Sequence, residues 1–491
     1  MPTSPALPPP LTHAATESSG PSPVRAGSRV VVIGGGPGGY EAALVGCQLG
    51  ADVTLIERDG LGGAAVLTDV VPSKTLIATA EWMTLTESAD ELGISTGGDV
   101  LGVDMGVVNR RVLELAAAQS ADIRSRLEAE GVRLVDGHGR IAPTLSPAGS
   151  RTVTATHRDG TAEDIETDVV LVACGASPRE LPDARPDGER ILTWKQLYAL
   201  EDLPEHLIVV GSGVTGAEFA GAYNALGAEV TLVSSRDRVL PGEDEEAAEL
   251  IEAVFRRRGM TVLSRSRASA VRREGDGVVV TLSDGREVSG SHCLVAVGAI
   301  PNTAAMGLEE AGVHLTASGH VEVDRVSRTT AYRIYAAGDC TGVLPLASVA
   351  AMQGRIAMWH ALGDAVAPLD TQTVSACIFT APEIATIGVT QKSIESGEVG
   401  GAVTRLPVAR NPRAKMLGIK EGFIKIFSER GSGVVIGGVV VAPRASELIY
   451  PVTLAVTNRL TVDQVAGAFT IYPSLSGSLG EAARTLHGVG D

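Results

Sequence analysis

Two glycine-rich runs carry the first chemical signal in this chain. Gly34-Gly35-Gly36-Pro37-Gly38-Gly39 and Gly211-Ser212-Gly213-Val214-Thr215-Gly216 share the spacing Gly-x-Gly-x-x-Gly. Such a turn lets backbone N–H groups and a helix N-terminus close on a pyrophosphate, where side chains would collide with it. In a chain with 58 glycines the spacing alone is a weak signal, so its setting decides. Each run follows an aliphatic stretch, Arg29 to Ile33 or His206 to Val210, and precedes a segment with the small residues a helix needs to lie close on a strand. Glu57 ends the next aliphatic stretch, 18 residues past Gly39, where an acid that bonds a ribose belongs. The matching strand of the second unit, Glu229 to Val233, runs instead into Ser234, Ser235, Arg236, Asp237 and Arg238, with no acid at the position of Glu57. A carboxylate there repels a 2′-phosphate, whereas serine and arginine receive one, so the second unit leans toward NADPH and leaves NADH open.

Positioning two such turns takes two strand–turn–helix units, and the pattern predicts an α/β chain with two Rossmann-like dinucleotide-binding domains. Strand-like runs at Thr152 to Thr156 and Val278 to Leu282, with Asp159-Gly160 and Asp284-Gly285 as turns, predict hairpins decorating each unit. From about Ala365 the pattern changes to strands (Gly422 to Phe427, Val434 to Val441) and helical stretches (Ser446 to Asn458, Leu475 to Leu486). This predicts a C-terminal α+β domain. The implied division is a disordered tail (1–28), a first domain from 29–172 and 297–365, a second from 173–296, and a third from 366–491.

Composition narrows the function classes. The 491 residues suffice for about three domains. A net charge of -17, from 41 basic and 58 acidic residues, repels nucleic acid and anionic membranes. Cys47, Cys174, Cys293, Cys340 and Cys377 show no metal-ligand spacing and read as buried thiols in a reducing cytoplasm. No metal site is expected. Residues 1–28 lack the apolar core of a secretory signal, and the most apolar stretch, Gly433 to Ala442, falls far short of the ~20 residues a membrane helix needs.

From Arg29 to Leu486 the chain resembles the flavoprotein disulfide reductases, the family of lipoamide dehydrogenase, glutathione reductase and mercuric reductase. Gly34 to Gly39 with Glu57 match the family's FAD fingerprint. Leu171 to Pro178 and Val295 to Gly298 with Pro301-Asn302 resemble its crossovers into and out of the NAD(P) domain, and Ile334 to Asp339 its second FAD signature. The resemblance implies that Asp339 holds the ribityl chain and that Lys74 and Glu218 form the ion pair beside flavin N5. It carries over Gly63, Gly137, Gly139, Gly175, Gly298, Gly338, Leu346 and Ala347 as further cofactor-binding positions. Thr380 to Glu383, Asn411, Arg413-Ala414 and Glu447 resemble the interface domain, which implies a homodimer.

The departures from the family are as informative. Its redox loop, Gly-Gly-Thr-Cys-Leu-Asn-Val-Gly-Cys-Ile-Pro-Ser-Lys, is here Gly62 to Lys74 with Ala65 and Val70 at the two cysteine positions. Without a thiolate no mixed disulfide forms, so dithiol chemistry is excluded. The family's His-Pro-Thr-x-Ser-Glu is here Tyr472-Pro473-Ser474-Leu475-Ser476-Gly477, so the imidazole base and its orienting carboxylate are missing too. Tyrosine, with an ordinary pKa of about 10, is a poor base in their place. What remains points to an FAD-dependent NAD(P)H dehydrogenase that passes electrons to a diffusible acceptor, best a quinone, with Tyr472 available to stack on it or donate a hydrogen bond. In this the chain resembles the cysteine-less actinobacterial NAD(P)H quinone reductases. A catalytically idle dimeric scaffold is the alternative, opposed by the retention of Lys74, Glu218, Asp339 and both turns. Lipoamide dehydrogenase activity is opposed by Ala65 and Val70.

Overall fold

A computed structural model of the chain describes residues 27–87, 89, 91, 93, 94 and 102–488. Most of the expected tail, 1–26, lies outside the described residues. Gly27 and Ser28 are placed, and both bond to the turn before the second strand, Gly27 N–H to the Gly50 carbonyl and Asp52 N–H to the Ser28 carbonyl.

The first unit runs β1 (Arg29–Ile33), α1 (Pro37–Gln48), β2 (Asp52–Glu57), α2 (Gly63–Leu67), α3 (Val70–Glu87), α4 (Met105–Ala129), β3 (Arg133–Leu145), β4 (Arg151–His157), β5 (Ala162–Thr167) and β6 (Val169–Val172). Strand β1 is parallel to β2 on one side and β6 on the other, and Ile334–Ala336 extends the sheet beyond β6. Val30 to Ile33 are buried, as an unbroken aliphatic run must be when helices cover one face and a second layer the other. Strand β3 pairs parallel with β2, then turns antiparallel into β4 and β5 across the Asp159-Gly160 turn, where Asp159 Oδ1 accepts from the Thr161 N–H and hydroxyl.

The second unit is a parallel five-stranded sheet in the order Thr261–Leu263, Glu229–Val233, His206–Val210, His292–Val295, Ile191–Leu192, with α5 (Val214–Leu226) and α6 (Glu245–Arg257). The hairpin expected at Asp284-Gly285 joins Gly277–Leu282 to Glu287–Gly290 in a three-stranded antiparallel sheet. A ribbon of Ala176–Pro178 against Ala299–Pro301 ties the two units together. Helix α7 (Ala347–Ala361) then returns to pack on α1.

The C-terminal region is an antiparallel sheet in the order Ser375–Ile378, Glu383–Gly388, Val435–Ala442, Phe423–Glu429, Gly401–Pro407. The helix expected over Ser446 to Asn458 is two, Ala445–Leu448 and Tyr450–Thr457, because Pro451 has no N–H to continue the ladder. The regular helix within Leu475 to Leu486 is confined to Gly477–Arg484. Buried Lys425 ties this sheet to the second unit, with Nζ 2.9 Å from both Asp244 and Glu246 beside the start of α6.

The thiols correct an expectation. All five are free, but only Cys293 and Cys340 are buried; Cys47, Cys174 and Cys377 are half-buried. Cys174 sits beside an open cleft, and Cys47 lies in the last turn of α1, partly buried against the core.

Candidate functional site

The two glycine runs fold into the same device. Gly34 (φ +106°) and Gly211 (φ +114°) adopt a left-handed backbone, and a Cβ on either would run into a carbonyl, that of Ala173 or Ala296. Gly39 and Gly216 press against the Gly34 and Gly211 carbonyls, which sets each helix flush on its strand. Gly36 and Gly213 are the N-caps of α1 and α5, neither helix has a side-chain cap, and a Cβ would meet nothing at Gly213 and only Gly63 Cα, 4.0 Å away, at Gly36. In α1, where Pro37 has no N–H and Gly39 N–H bonds the Gly36 carbonyl, the N–H of Gly38 is left for an anionic occupant, and α5, begun by Val214, offers its first-turn N–H groups in the same way.

The first turn opens onto a cleft of about 670 Å³. Gly34, Gly36, Pro37, Gly38 and Glu57 line it, together with Gly63, Gly137, Gly139, Gly175, Gly338, Asp339 and Ala347. Gly39, Gly298, Leu346 and Lys74 are not part of the wall. Gly39 packs beneath the turn, Gly298 lies on the connecting ribbon, Leu346 is the N-cap of α7, and Lys74 follows Val70 by one helical turn. Glu57 also organises the loop around it, its carboxylate accepting from the N–H groups of Gly35, Asp59 and Gly60. Burial pushes the Asp339 carboxyl above its usual range against the opposing charge of His320. The buried Gln353 amide holds the turn before it, accepting from Gly338 N–H at 2.9 Å. Thr68 Oγ1 is buried with no hydrogen-bond partner in a residue that lines the cleft, which leaves a donor for whatever fills it.

Between α2 and α3 the chain passes through Thr68 and Asp69, so that Ala65 and Val70 both face the cleft. Lys74 Nζ lies 2.6 Å from Glu218 Oε2, with the Glu218 side chain only 4% exposed. Glu218 Oε1 accepts from Phe379 N–H at 2.9 Å, and Lys74 Nζ sits 4.9 Å from the centre of the Phe379 ring. One carboxylate thus joins α3, α5 and the C-terminal sheet. Asp69, missed in the sequence, lines the same wall, and burial raises its carboxyl to about 6 despite the nearby charge of Lys74. The available signal was an acid interrupting an aliphatic run from Ala64 to Val71.

Residues 28–354 match the model of the pyridine nucleotide-disulphide oxidoreductases, and residues 374–483 match the dimerisation domain of the same enzymes. The chain belongs to this family. An NAD(P)H dehydrogenase (quinone) of Mycobacterium tuberculosis is 54% identical over 94% of both chains. Dihydrolipoyl dehydrogenase 2 of Haloarcula marismortui is 33% identical over 95% of this chain and 98% of its own. The crystal structure of LpdA from Mycobacterium tuberculosis superposes with a TM-score of 0.90 at 53% identity, covering 94% of this chain and all of that one.

As a pyridine nucleotide-disulphide oxidoreductase the chain is unusual in its loop, where aliphatic side chains stand at both positions a dithiol would need. The loop after Glu229–Val233 divides the four residues expected there. Ser234 is buried, its hydroxyl 2.7 Å from Ser212 Oγ and bonded to the backbone of Arg236, so it buttresses the loop from inside. Ser235 and Arg236 are exposed, whereas Arg238 is paired with Glu245. Tyr472 lies apart from the cleft of its own chain, 82% exposed beside Ile471 at 81% and the fully exposed Phe469. Among the described residues no helix is long and apolar enough to cross a membrane.

Proposed function

We propose that the protein oxidises NAD(P)H through an FAD bound in the cleft and passes the electrons to a quinone-type acceptor without a redox-active dithiol. The observation that carries this reading is the pairing of aliphatic Ala65 and Val70 on the cleft wall with an intact Lys74–Glu218 ion pair one helical turn away. The name of the 54%-identical Mycobacterium tuberculosis relative, NAD(P)H dehydrogenase (quinone), supports it.

The residues fit FAD. The uncapped N-terminus of α1 and the side-chain-free approach between Gly36 and Gly63 suit its pyrophosphate, and Glu57 stands at the end of β2 where a ribose bonds. Asp339 and Ala347 at the N-terminus of α7 line the same cleft and suit the ribityl chain and flavin ring. The bound flavin supplies the capacity to take two electrons from a nicotinamide and release them onward. The second unit receives the nicotinamide dinucleotide on the Gly211–Gly216 turn, with Ser235 and Arg236 as the exposed groups for a 2′-phosphate. The Lys74 ammonium, fixed by Glu218, presents a positive charge beside the cofactor, while Ala65 and Val70 leave an apolar wall for a flat ring.

The domain division implied by the sequence, a homodimer formed through the C-terminal region, and residence in a reducing cytoplasm belong to the same reading. The exposed Phe469, Ile471 and Tyr472 favour the dimer, since an apolar segment of this kind calls for a cover. Anaerobic titration of the flavoprotein with NADPH tests the reading. Complete bleaching of the flavin by one equivalent is expected, because no disulfide competes for electrons. A requirement for two equivalents would reveal a second redox centre and overturn it, and flavin inert to both nicotinamides would favour the idle scaffold.

A further inference from the structure

We propose that Asp69 is the proton donor that completes reduction of the acceptor, a role the dithiol loop of the family does not contain. The inference rests on the quinone reading above. It starts from placement: Asp69 occupies the two-residue link between α2 and α3 and lines the cleft between Ala65 and Val70. Its backbone is fixed, with its N–H bonded to the Ala64 carbonyl at 2.8 Å and its carbonyl accepting from Ser73 N–H at 2.7 Å. Among the described residues its carboxyl makes no hydrogen bond, so its proton is not committed to a neighbour.

The charges facing it come from four directions. Lys74 on α3 and Lys195, which also lines the cleft, favour the carboxylate; Glu218 on α5 and Asp339 before α7 oppose it. Neither pair neutralises the cost of burial, which raises the carboxyl to about 6, inside the range where a donor can both hold and release a proton near neutrality. The hydroxyl of Tyr198 is buried without a partner, and burial first, then the charge of Asp69, raises it above its usual range. A negative charge arriving at the cofactor raises Asp69 further and loads it with a proton when one is required.

The chemistry balances. NAD(P)H, a quinone and one proton give NAD(P)⁺ and a hydroquinone. Two electrons and one hydrogen reach the quinone by way of the bound cofactor, and the proton comes from Asp69. The O–H bond of the carboxyl breaks, the second hydroquinone O–H forms, and the carboxylate recovers its proton from water at the cleft mouth.

Two readouts on the purified flavoprotein test this, comparing wild type with Asp69→Asn and Asp69→Glu. The first is proton uptake on anaerobic photoreduction, followed with a pH indicator at pH 7 and needing no quinone. Wild type takes up more protons per flavin than Asp69→Asn, and equal uptake overturns the proposal. The second is turnover with menadione. Asp69→Asn is slowed about 100-fold or more in quinone turnover, a larger loss than in its rate of flavin reduction by NADPH, which is followed separately by stopped flow. Asp69→Glu retains part of the rate, and the fall in wild-type rate above a pKa at or above about 6 is absent from Asp69→Asn. An Asp69→Asn rate within twofold of wild type at every pH would overturn the proposal. If wild type shows the extra uptake yet reduces no quinone, the acceptor reading fails and the proton-handling role of Asp69 stands.

Discussion

Replacing Lys74 by methionine removes the cation and keeps most of the packing volume. Glu218 would then be a carboxylate only 4% exposed, with one remaining hydrogen bond from Phe379 N–H. Breaking a buried pair by removing one partner costs about 3–5 kcal/mol, because the abandoned charge stays out of water. Lys74 is 27% exposed, which places the expected loss toward the lower end of that range. The double variant Lys74→Met/Glu218→Met leaves no orphan charge and only an unsatisfied Phe379 N–H, worth about 1–3 kcal/mol. It is therefore expected to be more stable than the single variant. Urea unfolding of wild type, both single variants and the double variant, followed by tryptophan fluorescence, closes the cycle. A loss under about 1 kcal/mol for Lys74→Met, the range of exposed surface pairs, would refute the description of this pair as a buried joint.

Three further outcomes follow from particular residues. Burial favours the neutral Asp69 carboxyl, so between its ordinary value of 3.8 and about 6 the folded state holds a proton that the unfolded chain has released, and stability falls as pH rises through that window. Asp69→Asn removes this fall and is expected to unfold at higher urea than wild type at pH 7.5, by up to about 3 kcal/mol, but not at pH 4. Arg236→Ala should raise KM for NADPH by about tenfold or more with little change for NADH, and Arg238→Ala should do less because Glu245 already holds that side chain; steady-state kinetics with both nucleotides decides this. Gly36→Ala should fold but retain little flavin, because its Cβ projects into the cleft, whereas Gly39→Ala meets the Gly34 carbonyl and should lower the yield of folded protein; absorption spectra and size-exclusion profiles distinguish the two.

Steric requirements are what made the fold readable. Gly39 and Gly216 are demanded by the Gly34 and Gly211 carbonyls five residues earlier, and Gly34 and Gly211 by their left-handed backbone, so their spacing announces the turns, although the Ala173 and Ala296 carbonyls that also exclude a Cβ at Gly34 and Gly211 lie far along the chain. The helix break at Pro451 was legible on the same local grounds, yet the apolar pattern from Ser446 to Asn458 runs across it and hides it. Ser234 shows the opposite limit. Its type fits a phosphate loop, but its orientation is decided by Ser212, 22 residues earlier, and only the folded strand ends bring those hydroxyls together. Asp69 carries no local signature of function either, since the burial that shifts it is created by packing of the loop near α5 and the turn at Asp339. Tyr472 is exposed in a single chain, and its surroundings depend on what the apolar segment around it meets.

The central claim is that electrons leave this protein from the flavin without passing through sulfur. Anaerobic oxidation of NADPH by the purified flavoprotein, with menadione in one cuvette and lipoamide in the other, tests it most directly. Rapid oxidation with menadione and none above background with lipoamide is the predicted result. Sustained turnover of lipoamide would contradict the claim, because neither Ala65 nor Val70 can carry it.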